Sequence, residues 1–217
     1  MDRTPSRPVS RRSALSTVAL GSVNLLAGCL GDEEVPDPVS LDDGQACDNC
    51  TMVIERHGGS VGQSFYTDDR PEILADRPDG VAWFCSSWCQ YSFLFEYEKR
   101  GFDATGSYAT DYSTVAYTIR EDGDAVVISA HLRAEAVARL GELTFVVDSD
   151  VSGSMGASLI GFTKPSDAEA FAGEHSGELL AEDEITAEII AAMGSKDSGR
   201  VAHNGTRSGG GMEGGQF

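Results

Sequence analysis

Lysine is nearly absent from this 217-residue chain, occurring only at positions 99, 164 and 196. Aromatic residues make up 8% and tryptophan occurs twice, so the core is expected to be modest. Acids are spread over nearly every segment and give a formal charge of −19. So acidic a chain repels nucleic acid and anionic lipid headgroups. The pattern resembles adaptation to high salt more than one acidic binding face: at molar salt the Debye length is about 3 Å and the self-repulsion is largely screened. No Ser/His/Asp arrangement, phosphate loop or paired-carboxylate motif stands out, which points away from an enzyme.

The stretch from Ser13 to Gly28 is uncharged, short for a membrane-spanning helix and rich in Ser, Gly and Ala. It follows Ser10-Arg11-Arg12 and closes in Leu26-Ala27-Gly28-Cys29. This reads as a twin-arginine export signal over 1–28 ending in a lipobox, with Cys29 the lipidated residue of the mature protein. Two acyl chains on that sulfur make a stable anchor at the extracytoplasmic face of the cell membrane. Loss of the leader removes Asp2, Arg3, Arg7, Arg11 and Arg12, leaving 12 basic against 34 acidic residues, a charge of −22. Residues 29–45, acidic and containing Pro36 and Pro38, are expected to form a tether. A Gly-rich tail over 195–217 is expected to be disordered; it holds His203, Met212 and Asn204-Gly205-Thr206, where a glycan would be tolerated. The match at Asn49-Cys50-Thr51 overlaps the thiol motif and reads as accidental.

Residues 46–194 read as an α+β domain. Strands are predicted over 63–67 and 81–85, then a helix over 86–100 stopped by Gly101. A hairpin follows, from 115–119 and 125–129 around Glu121-Asp122-Gly123-Asp124. A short helical stretch near 134–140, strands over 143–148 and 158–163, a helix opened by Pro165 and a strand over 178–180 complete the pattern. Phe84 precedes Phe93, and Phe162 precedes Phe171, by nine residues each, which hints at an internal repeat of two ββαβ-like halves, about 46–110 and 111–194.

Chemistry concentrates in sulfur. Of five cysteines, Cys47, Cys50, Cys85 and Cys89 form two knuckles, with Met52 beside the first. Thiolate and thioether suit closed-shell monovalent copper. Three readings stay open: a copper site, a zinc site closed by four thiolates, and a thiol-disulfide protein without metal. Thr51-Met52-Val53-Ile54 reads as strand, against a thioredoxin-type thiolate at a helix start. Met155 in Ser152-Gly153-Ser154-Met155-Gly156 is a further candidate ligand, since a methionine in a Gly/Ser turn packs poorly. His57 and His175, both beside glycines in loops, could supply imidazole, whereas His131 looks structural.

Together, Cys47-x-x-Cys50-x-Met52-x-Ile54, Trp83-Phe84, Thr110-Asp111-Tyr112, Ser154-Met155-Gly156 before Leu159-Ile160-Gly161-Phe162, and Phe171-x-x-x-His175-x-Gly177 resemble the NosL family over Cys47 to Leu180. The resemblance implies an extracytoplasmic lipoprotein that binds monovalent copper and supports assembly of the copper sites of nitrous oxide reductase in denitrification. It also implies an α+β fold of two ββαβ-like halves. Cys50 and Met52 fall on the family's Cys-Gly-Met, with Thr51 in place of the glycine, and Met155 falls on its Met-Gly. Phe84-Cys85-Ser86-Ser87-Trp88-Cys89 departs from the family and resembles half of a TRASH-type heavy-metal knuckle.

Cys29→Ser should move the protein from the membrane to the soluble fraction with its metal content unchanged. Fractionation with metal analysis checks this, and a variant that stays with the membrane, or loses metal, contradicts the lipid assignment.

Overall fold

Strand β1 (Gly62–Phe65), strand β2 (Val81–Phe84), helix α1 (Ser87–Glu98) and strand β3 (Gly106–Thr110) make the first half of the fold. The computed structural model describes residues 35–195 apart from Asp68, Asp124, Ser154 and Met155. The leader, Cys29, the tail with His203, Asn204 and Met212, and Met155 lie outside the described residues. β1 is central and antiparallel to both neighbours, with Gly62 opposite Phe84 on one side and Ala109 on the other. Next come β4 (Ile119–Asp122), β5 (Ala125–Ile128), β6 (Val137–Arg139), β7 (Thr144–Val147), β8 (Ser152–Gly153), β9 (Gly156–Ala157), β10 (Ile160–Phe162), α2 (Pro165–His175) and β11 (Glu178–Ala181). Residues 187–195 are helical. Among the described residues no helix is long and apolar enough to cross a membrane.

The repeat hinted at by two phenylalanine pairs is present in the topology. β7 is flanked antiparallel by β10 and β11, as β1 is by β2 and β3, and in each case the helix crosses from the second strand to the third. Phe84 packs on Phe93 with ring centroids 5.2 Å apart, and Phe162 on Phe171 at 5.3 Å, at interplanar angles of 59° and 49°. The fold is α+β with two ββαβ units, as expected.

Local chemistry explains the helix that matters most for the site. Ser86, in extended conformation, accepts a hydrogen bond from Cys89 N at its side chain and so starts α1. Gly101, at φ 89°, ends it, while Phe102 N returns to Tyr97 O. The start of α1 is also tied to the second half. Ser87 Oγ donates to Leu159 O at 2.6 Å and accepts from Leu159 N at 3.1 Å, and Trp88 Nε1 donates to Ile190 O at 2.9 Å.

Several sequence expectations need correction. The stretch near Ala134 to Leu140 is not one helix but two 3-10 turns, Ala134–Ala136 and Leu140–Glu142, on either side of β6, which pairs along the edge of β3; sheet pairing overrides local helix preference. The hairpin differs from the expectation: Asp122 at the end of β4 pairs with Ala125 at the start of β5, Gly123 lies at φ 64°, and residues 115–118 are not strand. Of Thr51 to Ile54, only Val53 makes a bridge, to Ala46, before the turn Ile54–Arg56. Residues 35–45, read as tether, lie against the domain: Leu41 is 1% exposed, Val39 N reaches Gln63 Oε1, and Tyr108 OH reaches Pro36 O.

Phe93→Ala and Phe171→Ala should each lower unfolding free energy by about 3–5 kcal/mol, because each ring anchors the helix of its own half. Chemical denaturation of the two variants checks this, and a small loss for either would mean that its half does not depend on the repeated pair.

Candidate metal centre

Four thiols converge from two places in the chain. The first pair sits on a loop that folds back on itself: Thr51 N donates to Cys47 O and Cys47 N to Met52 O, each at 2.8 Å. The second pair brackets the start of α1, Cys85 just after β2 and Cys89 in the first helical turn. The four sulfurs all lie within 4.8 Å of one another. Cys50 Sγ is 3.4 Å from Cys85 Sγ, and Cys85 Sγ is 3.8 Å from Cys89 Sγ. A metal with four sulfur ligands at about 2.3 Å in tetrahedral array needs sulfurs about 3.8 Å apart. The cage fits. No disulfide joins the four, so the metal-free thiol reading of disulfides within each knuckle is not the state seen.

Burial divides the set. Cys47, Cys85 and Cys89 are buried, and Cys50 is half-buried between exposed Asn49 and Thr51. Cys50 is thus the member of the set most open to solvent or a partner.

The charge state of the metal-free cage follows from its hydrogen bonds. Cys47 is held far below the ordinary thiol range because Cys85 and Cys89 donate to it, with the amides of Cys85 and Cys50 adding to the effect against burial. Cys85 and Cys89 are pushed up, chiefly by their hydrogen bonds with Cys47 and then by burial and the charges of their neighbours. These hydrogen bonds thus favour the thiolate at Cys47 over one at Cys85 or Cys89. The α1 N-terminus adds positive potential. Thiolate ligation of a metal releases protons, so the affinity of such a cage for a thiophilic ion rises with pH while its free thiols remain protonated.

The other residues singled out from sequence are placed differently. Met52 is half-buried on the first loop, its carbonyl bound to Cys47 N. Met155 lies outside the described residues; its neighbours form the β8–β9 hairpin. His57 is not in the thiol group and lines a cleft of about 240 Å³ with Arg56, Arg120, Asp122 and Ser152. His175 packs on Phe171 with ring centroids 4.7 Å apart, in the second half. His131 is structural, its Nε2 3.2 Å from Ser129 Oγ, and burial lowers its pKa.

Sequence reasoning missed Asp48 and Arg77. Asp48 Oδ2 accepts from Trp83 N, and Arg77 forms a two-pronged pair with the Asp48 carboxylate. An acid between the two cysteines of one knuckle was the available signal; its partner, in a different loop, was not legible.

Comparison with known proteins converges on one family. The NosL family profile matches residues 38–190. The copper-binding lipoprotein NosL of Stutzerimonas stutzeri is 30% identical over 178 residues, covering 80% of either chain. The crystal structure of the copper chaperone NosL from Shewanella denitrificans aligns with a TM-score of 0.56 at 25% identity, covering 70% of this chain and 98% of that one.

Thr51, at φ 66°, occupies the left-handed region that a β-branched residue rarely adopts. Such a residue carries about 1–2 kcal/mol of strain, and glycine costs about 0.5–1 kcal/mol in chain entropy. Thr51→Gly should therefore stabilise the protein by up to about 1 kcal/mol, raising the melting midpoint by about 2–4 °C. A lower midpoint would mean that the threonine side chain compensates its own backbone.

Proposed function

The chain belongs to the NosL family, and from that premise we propose that it is a lipid-anchored metallochaperone that carries monovalent copper outside the cytoplasm. The observation that carries this reading is the four-sulfur cage with a single half-buried member. Soft thiolates favour monovalent copper, and the protein performs no chemistry beyond taking up and releasing the ion. Copper is its cargo. Uptake displaces protons from Cys85 and Cys89, and the buried sulfurs retain the ion. Release starts when a partner's ligand replaces Cys50, after which the buried thiols recover their protons. Met52 and Met155 are proposed thioether ligands that hold copper during this exchange, with His57 and His175 weaker candidates.

The receiving partner, on this reading, is the copper-assembly machinery of nitrous oxide reductase. Anchoring through Cys29 keeps the carrier at the membrane's outer face, and the acidic surface suits a salty medium. Zinc is the second reading, favoured by one observation: sulfur spacings of 3.4 and 3.8 Å also suit a closed tetrahedral zinc site.

Competition separates them. The reduced protein should hold monovalent copper against a chelator selective for that ion and lose zinc to it. Cys85→Ser or Cys89→Ser should weaken copper binding by at least about tenfold, since each removes a ligand from the cage. Tight zinc with copper displaced would select the zinc module. Copper binding that survives both serines but fails in Met155→Ala would move the site to the thioethers.

A further inference from the structure

Asp48 stands between Cys47 and Cys50, where a carboxylate beside thiolates is unfavourable unless a cation offsets it. Arg77 supplies that cation. Its Nη1 and Nη2 donate to Asp48 Oδ2 and Oδ1 at 2.6 and 2.7 Å, and Nη1 also donates to Val81 O at 2.7 Å. The guanidinium lies 3.9 Å from the centroid of the Trp83 ring. Asp48 in turn grips the strand: its Oδ2 accepts from Trp83 N at 2.7 Å, and its own N donates to Trp83 O at 2.9 Å. Its side chain is 5% exposed, against 25% for that of Arg77. Few cations exist in this chain, 16 lysines and arginines against 35 acids, and this one is committed to a single carboxylate.

We infer that Arg77 is a positioning residue for the metal centre: acting through Asp48, it fixes the Cys47–Cys50 loop to β2 and so sets the spacing of that pair from Cys85 and Cys89. Trp83 is two residues before Cys85 on the same strand, so gripping Trp83 places the first knuckle directly beside the second. Thr51, strained at φ 66°, makes the clamp necessary, because the loop would relax if released. A lysine in place of Arg77 would keep the charge but lose the fork that binds both carboxylate oxygens. The identity of the ion rests on the copper proposal; the positioning itself is a property of the thiols.

The test uses the full-length protein, detergent-solubilised, reduced and metal-free, in parent, Arg77→Lys and Arg77→Gln forms. Iodoacetamide reports thiol access: a protein thiolate displaces iodide and forms a stable thioether that neighbouring thiols cannot exchange. Peptide mapping then assigns the rates. Cys47 and Cys50 should react about tenfold faster in Arg77→Gln and at an intermediate rate in Arg77→Lys, with Cys85 and Cys89 changed much less. Copper affinity should fall by about 10–100-fold, the range for loss of a residue that orients a metal ligand. Unchanged rates overturn the inference, as does equal acceleration of all four thiols in step with a lower melting midpoint. Should Arg77→Gln not fold, Arg77→Lys decides alone by the same selectivity. Selective acceleration in a protein that fails to bind copper leaves the positioning role standing and removes the copper reading.

Discussion

Burying three sulfurs of a four-thiol cage in the same core as Phe84 and Phe93 ties the stability of the first half to whatever fills the cage. A thiol behaves in a core as a small apolar group, but a thiolate is a charge and is expensive to bury alone. Hydrogen bonds with Cys85 and Cys89 offset that cost at Cys47, lowering its pKa while those of its two neighbours rise. With an ion in place, the same charges become ligand charges and the protons leave. Metal affinity, acidity and folding of the first half are therefore one coupled equilibrium.

The second half shows what the same architecture does without sulfur. Thr163 follows Phe162 as Cys85 follows Phe84, and Lys164 precedes α2 as Ser86 precedes α1. At this equivalent place Asp111 accepts from Thr163 N at 2.9 Å, Thr163 Oγ1 at 2.7 Å and Ser113 N at 2.9 Å, while Ser113 Oγ accepts from Lys164 N. Hydrogen bonds close in the second unit the gap between loop and strand end that the cage bridges in the first. Asp111, 2% exposed and already accepting from three donors, is a fixed joint at the place where the first unit carries its four thiols.

Much of this was legible from spacing. Phe84, Phe93, Phe162 and Phe171 marked the repeat because each pair joins a strand end to the next helix turn, a local relation. The two knuckles announced the cage because four cysteines in a cysteine-poor chain have few other reasons to exist. What escaped was non-local. β6 took an edge of β3 where residues 134–140 looked helical, since the open hydrogen-bonding edge of a distant strand decided the matter. Leu41 entered the core from a segment whose prolines and acids read as tether, because its contacts come from Leu132 and beyond. The pairing of Asp48 with Arg77 left no periodic trace at all.

Thr51 connects the departures from the family pattern to one another. The resemblance implies glycine at that position, a residue that adopts φ 66° without strain. Threonine at that position stores strain beside Cys50, the only cage thiol within reach of solvent. Strain in a loop favours opening, and opening at Cys50 is the step by which a bound ion would leave. Against it stand Asp48, held on β2, and the two additional sulfurs at Cys85 and Cys89. A site with more thiolates binds more tightly and exchanges more slowly, so a weak point in the loop at the exposed ligand lowers the barrier to transfer without removing a ligand. On the proposed copper-carrier function, retention resides in the three buried cysteines and release in the strained turn around Cys50.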